Sequence, residues 1–167
     1  MRRLMPRAAS RRHARGLTLV ELMVGLVIMA ILATAAAPYL GDMVLNSRLR
    51  EGGNLLFAET LMAQSEAIKR NTTVRVSVNG ALVQVIDLSV PANPVVLRER
   101  SMPGNVTAEA ATFDFGPEGR PAPFGTAVSV NVTMTGQTCS DDLRCPGLRV
   151  DAGGAARLCG NHQSGCS

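Results

Sequence analysis

The chain is poor in aromatic residues, with no Trp, one Tyr and four Phe among 167 residues. Proteins that bind single-stranded nucleic acid stack successive bases on aromatic side chains. The composition therefore argues against that class of protein.

Histidines and nucleotide-binding loops are also scarce. Of the two histidines, His162 lies in a tail rich in Gly, Ser and Cys with no acid beside it to orient its ring, so a Ser-His-Asp or Cys-His arrangement lacks convincing members. The glycines from Gly116 to Gly125 do not form Gly-x-Gly-x-x-Gly and are interrupted by proline. The sequence therefore predicts no enzyme and no cofactor, and an enzyme hypothesis survives only as a membrane-tethered domain with an unrecognised site.

Charge is absent from one long segment near the amino terminus. No charged residue lies between Leu22 and Gly41, and Glu21 is the only charge in the 25-residue run from Leu17 to Gly41. About 20 apolar residues suffice to cross a bilayer as a helix. A carboxylate near the start of such a helix is costly, so Glu21 either reaches water at the headgroup level or has a partner.

The segment before this run carries the opposite imbalance. Met1 to Gly16 contains six arginines and no acid, and basic residues beside a membrane span stay in the cytoplasm. A cleaved secretory signal has an apolar core of only about 7 to 15 residues followed by small residues. The run here is longer, although Ala33 to Ala37 resembles such a cleavage site, so the sequence favours a retained anchor.

The boundary between these two segments resembles a known processing signal. Arg15-Gly16-Leu17-Thr18-Leu19-Val20-Glu21 is similar to the class III signal of type IV pilins and type II secretion pseudopilins. The resemblance implies that prepilin peptidase cuts between Gly16 and Leu17 and that the new amino group of Leu17 is methylated. Leu17 departs from the usual Phe but remains large and apolar.

The same resemblance suggests roles in assembly for Thr18, Glu21 and Pro38. In pilin-like filaments this Glu pairs with the free amine of a neighbouring subunit, here that of Leu17, and opposite charges attract strongly where water is scarce. Pro38 lies where pilins carry a helix-interrupting proline. Since proline removes a backbone donor and clashes with the preceding turn, a local break in the helix is expected there.

The rest of the chain predicts a helix followed by strands. From Asp42 to Lys69 apolar residues recur at helical spacing, although Gly52-Gly53 weakens the helix and so indicates a bend or a close packing contact. Asn71 is expected to end it. Alternating residues then predict a strand at Val74 to Val78, an Asn79-Gly80 turn, and further strands at Ala81 to Leu88, Val95 to Arg100, Thr112 to Phe115, Ala127 to Met134 and Leu148 to Asp151.

The predicted fold class is α+β, a pilin-like fold in which a long amino-terminal helix packs on an antiparallel sheet. Four segments are expected: a cleaved leader (1–16), a transmembrane and assembly helix (17–40), an amphipathic helix (41–71) and a β-rich periplasmic domain with a Cys-rich tail (72–167). Within the pilin-like superfamily the body resembles the GspH/FimT group. The resemblance is carried by Ala63 to Asn71, Val74-Arg75-Val76 and Phe113 to Gly119, and departs at Gln64-Ser65, where Ala-Arg is expected.

That resemblance implies a non-enzymatic minor pseudopilin of type II secretion, or alternatively a FimT-like minor type IV pilin used in pilus assembly or DNA uptake. The implied partners are other major and minor pseudopilins or pilins, prepilin peptidase and the inner-membrane assembly platform. The implied location is the bacterial inner membrane, with the amino terminus cytoplasmic and the carboxy-terminal domain periplasmic.

Nucleic acid is a less favoured partner. Once the leader is removed, eleven Lys and Arg remain against thirteen Asp and Glu, a net charge of −2, so most of the basic character belongs to the leader. DNA-uptake members of the FimT group carry a Gly-Arg-x-Arg element, of which Gly154-Ala155-Ala156-Arg157 keeps only the last Arg. Arg144, Arg149, Arg157 and His162 form a candidate phosphate-contacting patch, whereas arginines close to aspartates more often form a solvated surface.

Four cysteines fall in the last 29 residues: Cys139, Cys145, Cys159 and Cys166. Because topology places them outside the cytoplasm, they are expected to form disulfides. The favoured pairing is local, Cys139 with Cys145 and Cys159 with Cys166, although three pairings exist. A zinc site of Cys159, His162, Cys166 and one further Cys is the competing hypothesis, and the lack of a paired Cys-x2-Cys unit disfavours it.

Overall fold

A computed structural model describes residues 18–166 and divides the chain into two units, the first ending at Pro38 and the second beginning at Tyr39. One α-helix, α1, runs from Leu19 to Arg70 and contributes to both units. The predicted break at Pro38 was wrong, because α1 continues through this residue. A proline removes a single backbone donor, and that loss did not end this helix.

The first unit consists of the apolar part of α1. From Leu19 to Ala36 the mean hydropathy is 2.4, and none of these side chains is buried within the structure. By length and composition this is the one helix among residues 18–166 that qualifies as a membrane span.

In the second unit an antiparallel sheet follows the helix. Its strands are β1 (Val74–Gly80), β2 (Leu82–Asp87), β3 (Val95–Ser101), β4 (Val106–Phe115), β5 (Pro121–Ala122), β6 (Val128–Met134), β7 (Gly147–Val150) and β8 (Ala156–Cys159). Across residues 18–166 the sheet order is β3-β2-β1-β4-β6-β7-β8, and β5 pairs with the end of β4. The α+β fold class is thereby confirmed.

Three features of the sheet differ from the prediction. The strand predicted at Thr112 begins six residues earlier, at Val106, and β5 and β8 were missed. Ala and Glu, which are rare in strands, fill the first half of β4. The hairpin turn is also displaced by one residue, because Asn79 pairs with Leu82 and leaves Gly80-Ala81 as the loop. Only Gly80 has a positive φ there, as in a type II′ turn.

The core of the second unit lies between one face of α1 and one face of the sheet. Leu49, Leu56, Ala63 and Ala67 are fully buried, because residues three, four or seven apart share a helix face. They meet alternate strand residues, which point to the same side of a sheet: Val74, Val76, Val83, Val85, Val130, Val132, Leu148 and Val150. Leu45, one turn before Leu49, is partly buried against the cluster.

The end of α1 is fixed as the sequence predicts, by Asn71. This residue has a φ of 52°, a conformation that Asn tolerates better than most residues. The Asn71 amide donates to the Ile68 carbonyl and the Thr72 amide to the Ala67 carbonyl, which together form a Schellman motif. The chain therefore leaves the helix in a fixed direction and enters β1.

Ion pairs join the last turns of α1 to the sheet. Arg70 Nε lies 2.6 Å from a Glu66 oxygen and Arg70 Nη1 lies 3.3 Å from an Asp87 oxygen. The hydrogen bond from Arg70 lowers the pKa of Glu66. The pKa of Asp87 is lowered mainly by its hydrogen bond from the Ser89 backbone amide and, to a smaller extent, by Arg70. These carboxylates therefore stay ionised at the ordinary pH of the cell.

Gln64, one of the two residues that depart from the subgroup pattern, has a structural role. Its side-chain amide donates to the carbonyl oxygens of Gly119 and Gly154, at 3.0 and 2.6 Å. Two loops separated in the sequence are thus held on the same helix turn. Both bonds come from Gln64 itself, so they do not depend on the arginine that the subgroup pattern has in place of Ser65.

Candidate functional site

The predicted processing site lies directly before the first described residue. Gly16 and Leu17 lie outside them, so nothing in the structure bears on cleavage between these two residues. The first described residue is Thr18, which directly precedes α1. Thr18 is therefore the first residue of the predicted site that the structure describes.

Thr18 caps the amino-terminal end of α1. Its hydroxyl oxygen accepts a 3.2 Å hydrogen bond from the backbone amide of Glu21, and its carbonyl oxygen accepts the Leu22 amide at 3.1 Å. A side-chain oxygen that accepts an amide of the first turn typically contributes about 1 kcal/mol to a helix. This role of Thr18 was missed, although Thr-x-x-Glu at a helix start is a readable capping signal.

Glu21 occupies the third position of the helix and is exposed. Among residues 18–166 no cation lies within ion-pairing distance of its carboxylate. A negative charge in the first turn interacts favourably with the helix dipole. The structure thus gives the charge of Glu21 a local role at the start of α1.

The surface that follows Glu21 is apolar on all sides of the helix. Nine large hydrophobic side chains in this segment stay more than half exposed: Leu22, Met23, Val24, Leu26, Val27, Ile28, Met29, Ile31 and Leu32. Contiguous apolar surface of this kind marks contact with a membrane or with another protein. Each fully buried side chain of this type would contribute about 1.5 to 3 kcal/mol.

In the structure all four tail cysteines form disulfides. Cys139 pairs with Cys145 and Cys159 with Cys166, which is the local pairing that the sequence favours. This leaves no thiolate for the competing zinc site, and no cluster of metal-binding side chains occurs among residues 18–166.

Hydrogen bonds join the two disulfide loops to each other. Asn161 Nδ2 donates to the Ser140 carbonyl at 3.1 Å, and the His162 amide donates to the Cys145 carbonyl at 2.7 Å. His162 Nδ1 lies 3.0 Å from the same carbonyl, an acceptor, so this contact requires a proton on Nδ1. His162 therefore serves the packing of the tail rather than a phosphate patch.

Two of the three arginines predicted for nucleic acid come together. Arg149 on β7 is the register partner of Arg157 on β8, which places both side chains on one face of the sheet. Arg149 donates to Asn131 Oδ1 at 2.8 Å, and Arg157 lies 3.9 Å from an Asp151 oxygen. Both line a surface cavity of about 490 Å³.

Arg144 lies apart from that pair. It lines a different cavity, together with Arg50 and residues of the first disulfide loop. The predicted three-arginine patch is therefore divided between two sites, because Arg144 precedes β7 whereas Arg149 and Arg157 lie within strands.

Comparisons with known proteins find two family matches. Residues 11–37 match the prokaryotic N-terminal methylation motif. Residues 53–154, more than half of the chain, match the family described as type II transport protein GspH. No functionally curated protein matches the sequence.

Solved structures resemble the fold of this chain over about two thirds of its length. A crystal structure of the type IV minor pilin FimU from Pseudomonas aeruginosa is similar with a TM-score of 0.57 and 18% identity, over 67% of this chain and 88% of that one. The minor pseudopilin EpsH from the type 2 secretion system of Vibrio cholerae is similar with a TM-score of 0.53 and 12% identity, over 66% of this chain and 97% of that one. At these identities the likeness concerns the fold alone.

Proposed function

Because this chain belongs to the GspH family of type II transport proteins, we propose that it is a minor pseudopilin, a structural subunit without catalytic activity in the pseudopilus of a type II secretion system. The observation that carries the proposal is the order of the two matches. A methylation motif at residues 11–37 directly precedes a GspH match at residues 53–154, so an assembly helix and a GspH body occur in one chain.

Processing is the first step of the proposed function. The arginine-rich leader holds the amino terminus in the cytoplasm of a bacterium, prepilin peptidase cuts between Gly16 and Leu17, and Leu17 is methylated. Residues 17–40 then anchor the chain in the inner membrane, with residues 41–71 and 72–167 in the periplasm. Assembly with other major and minor pseudopilins on the inner-membrane platform draws residues 17–40 into a helical bundle.

Co-expression with prepilin peptidase tests this step. We expect the full chain to lose residues 1–16 and to gain one methyl group, measured by intact-protein mass spectrometry. A Gly16→Leu variant should keep its leader, because a large side chain replaces the smallest one beside the cut. Filament protein that retains Met1 to Gly16, or a new terminus after Ala33 to Ala37, would contradict the proposal.

A minor type IV pilin is the second candidate. It is favoured by the fold likeness to FimU and by the Arg149–Arg157 pair, which offers two guanidinium groups on one face of the sheet. In this candidate the subunit belongs to a pilus, and its tail contacts DNA phosphates weakly. The genes beside this one separate the candidates, since a secretion operon favours the first and a cluster of minor pilins favours the second.

The DNA contact of the second candidate has its own test. If the pair binds phosphates, the processed chain (residues 17–167) in detergent, which lacks the six arginines of the leader, should bind duplex DNA with an affinity that falls as salt rises. Arg157→Ala should weaken that binding about threefold to tenfold, as removal of one phosphate contact does. Arg120→Ala, which removes an exposed charge elsewhere, is the matched control. No binding at low salt, measured by fluorescence anisotropy, removes DNA from the proposal.

A further inference from the structure

A surface cavity in the second unit lies between α1, the first disulfide loop and β8. Its volume is about 490 Å³, and its polar lining is Asn46, Arg50, Asn54, Asp142 and Arg144. Asn46, Arg50 and Asn54 are four residues apart, so they form one stripe along the helix. The opposite wall comes from the loop closed by Cys139 and Cys145.

Asn46 fixes the two walls of this cavity relative to each other. Its Nδ2 donates to the Asp142 carbonyl at 2.8 Å and its Oδ1 accepts the Arg144 amide at 2.9 Å. Both ends of one side-chain amide are therefore used on the loop. The position of Arg144 opposite Arg50 is set by these bonds rather than by a flexible loop.

The two guanidinium groups have donors to spare. Among residues 18–166 Arg50 makes no hydrogen bond or ion pair, and Arg144 donates only from Nε to the Asp141 carbonyl at 3.4 Å. Both side chains are exposed, and Asp142 is the single acid in the lining. Two forked cations beside the side-chain amide of Asn54 suit an anion with several oxygens, and phosphate fits that description.

Exposed apolar residues lie beside the cavity on the same unit. Leu40, Met43 and Val44 are 62%, 72% and 49% exposed, and Met43 precedes Arg50 by seven residues on the same helix face, about 10 Å along the axis. The headgroup layer on each side of a bilayer is about 5 to 8 Å thick. An arginine whose apolar stem lies on lipid places its charged end in that layer.

We propose that the cavity lined by Arg50 and Arg144 binds the headgroup phosphate of an anionic phospholipid, with Leu40, Met43 and Val44 in contact with the acyl chains. The proposal rests on the membrane anchor of the proposed function. A bound lipid would hold the domain at the membrane surface until the subunit enters a filament. A lipid occupies both the cations and the apolar residues near them, whereas a soluble anion or an acidic partner protein would leave the apolar residues without a contact.

The full chain in nanodiscs of phosphatidylcholine, titrated with phosphatidylglycerol and followed by native mass spectrometry of the released protein, tests the site. Arg50→Gln and Arg144→Gln should each weaken phosphatidylglycerol binding about tenfold, the effect of one lost charge-assisted hydrogen bond. Arg120→Gln, with the same charge change at an exposed position outside the cavity lining, should change it less than about twofold.

Inorganic phosphate serves as the second probe. Short-chain phosphatidylglycerol should bind tighter than inorganic phosphate, and equal affinities would replace the lipid with a free anion. Unchanged lipid binding by both arginine variants would overturn the proposal. If these variants also enter filaments poorly, the two arginines contact a neighbouring subunit instead of a lipid. Failure of the wild type to insert into nanodiscs would overturn the membrane anchor as well, so the two failures are distinguishable.

Discussion

A Glu21→Ala variant is expected to insert into the membrane and lose its leader normally, yet to enter filaments at least about tenfold less often than the wild type, a factor that corresponds to about 1.4 kcal/mol. The change leaves Gly16, Leu17 and the apolar surface from Leu22 onward intact. What it removes is the single carboxylate of the run. In the proposed filament that carboxylate pairs with the Leu17 amine of a neighbour.

The size of this effect follows from the surroundings of the pair. Two unit charges 4 Å apart attract by about 4 kcal/mol at an effective dielectric constant of 20, compared with about 1 kcal/mol in water. In the proposed filament, apolar helices of neighbouring subunits would exclude water around Glu21. A loss of 1 to 2 kcal/mol per subunit contact is therefore a modest expectation, and each subunit would lose such a contact with its neighbour.

The structure also offers a rival explanation, because Glu21 lies in the first turn of α1, where Thr18 caps the helix. Gln is as suitable as Glu at the third position of a capping box. Glu21→Gln therefore keeps the local helix signal while removing the charge. Gln also loses the interaction of a negative charge with the helix dipole, which contributes about 0.3 to 1 kcal/mol. If pairing with the amine is the role of Glu21, Gln should fail like Ala; if the helix start is its role, Gln should lose less than about fivefold in assembly.

Quantitative immunoblotting of sheared filament fractions, with intact-protein mass spectrometry to verify processing, measures both variants. Glu51→Gln provides the matched control, since Glu51 is an exposed carboxylate on the same helix and has no ion-pairing partner among residues 18–166. Normal incorporation of Glu21→Ala would leave Glu21 with an interfacial role only.

The sequence predicted the helix of this fold more accurately than its sheet, and the reason is physical. Helix ends are encoded locally, so Asn71 could be identified from its neighbours, and the stripe of buried residues on α1 follows from a fixed period. Strand limits depend on partners far along the chain. Val106 to Ala111 belongs to β4 because it pairs with β1 and β6, and its Ala and Glu residues give no local indication of that.

The candidate sites show the same difference between local features, which the sequence predicted, and long-range features, which it did not. Local pairing of the cysteines was readable from their spacing and compartment, whereas the grouping of the arginines was not. Arg149 lies opposite Arg157 through the β7–β8 register, and Arg144 faces Arg50 through bonds from Asn46. Both arrangements join residues that are distant in the sequence, which composition and periodicity do not specify.

Gly52 and Gly53 carry the second large prediction, which concerns stability. Both are buried in α1, and a Cβ at Gly52 would lie 2.6 Å from Val106 Cγ1, whereas one at Gly53 would lie 2.8 Å from Pro146 Cγ. The close packing contact that the sequence indicated is therefore present at both positions. The helix approaches β4 at Gly52 and, at Gly53, Pro146, which directly follows the first disulfide loop.

Ala at either position should lower the free energy of unfolding despite being the better helix former. The exchange gains about 1 kcal/mol in helix propensity, and overpacking a filled core costs about 1 to 3 kcal/mol, occasionally more. Val106 is stiff at χ1 and Pro146 is a ring, so neither neighbour can move away easily. Both contacts would be shorter than 3.0 Å, so the upper part of that range, about 2 to 3 kcal/mol, applies. We therefore expect a net loss of about 1 to 2 kcal/mol for each variant and about 2 to 4 kcal/mol for the double variant, if separate contacts add.

Gly41→Ala is the matched control, because Gly41 lies in the same helix and nothing lies within 4 Å of a Cβ there. That variant should gain up to about 1 kcal/mol from propensity alone. Thermal unfolding of the full chain in detergent, followed by circular dichroism, should therefore move the midpoint down for Gly52→Ala and Gly53→Ala and slightly up for Gly41→Ala. Midpoints that rise for all three would show that the core yields at the two buried glycines.

A double-mutant cycle identifies the atom responsible. Val106 is fully buried, so Val106→Ala should destabilise the wild type by leaving a cavity. In the Gly52→Ala background the same change also removes Cγ1, which is the atom in conflict with the new Cβ. Val106→Ala should then cost about 0.5 to 3 kcal/mol less than in the wild type, the usual range of coupling between residues in contact. Equal costs in both backgrounds would mean that the strain at Gly52 arises elsewhere in the helix.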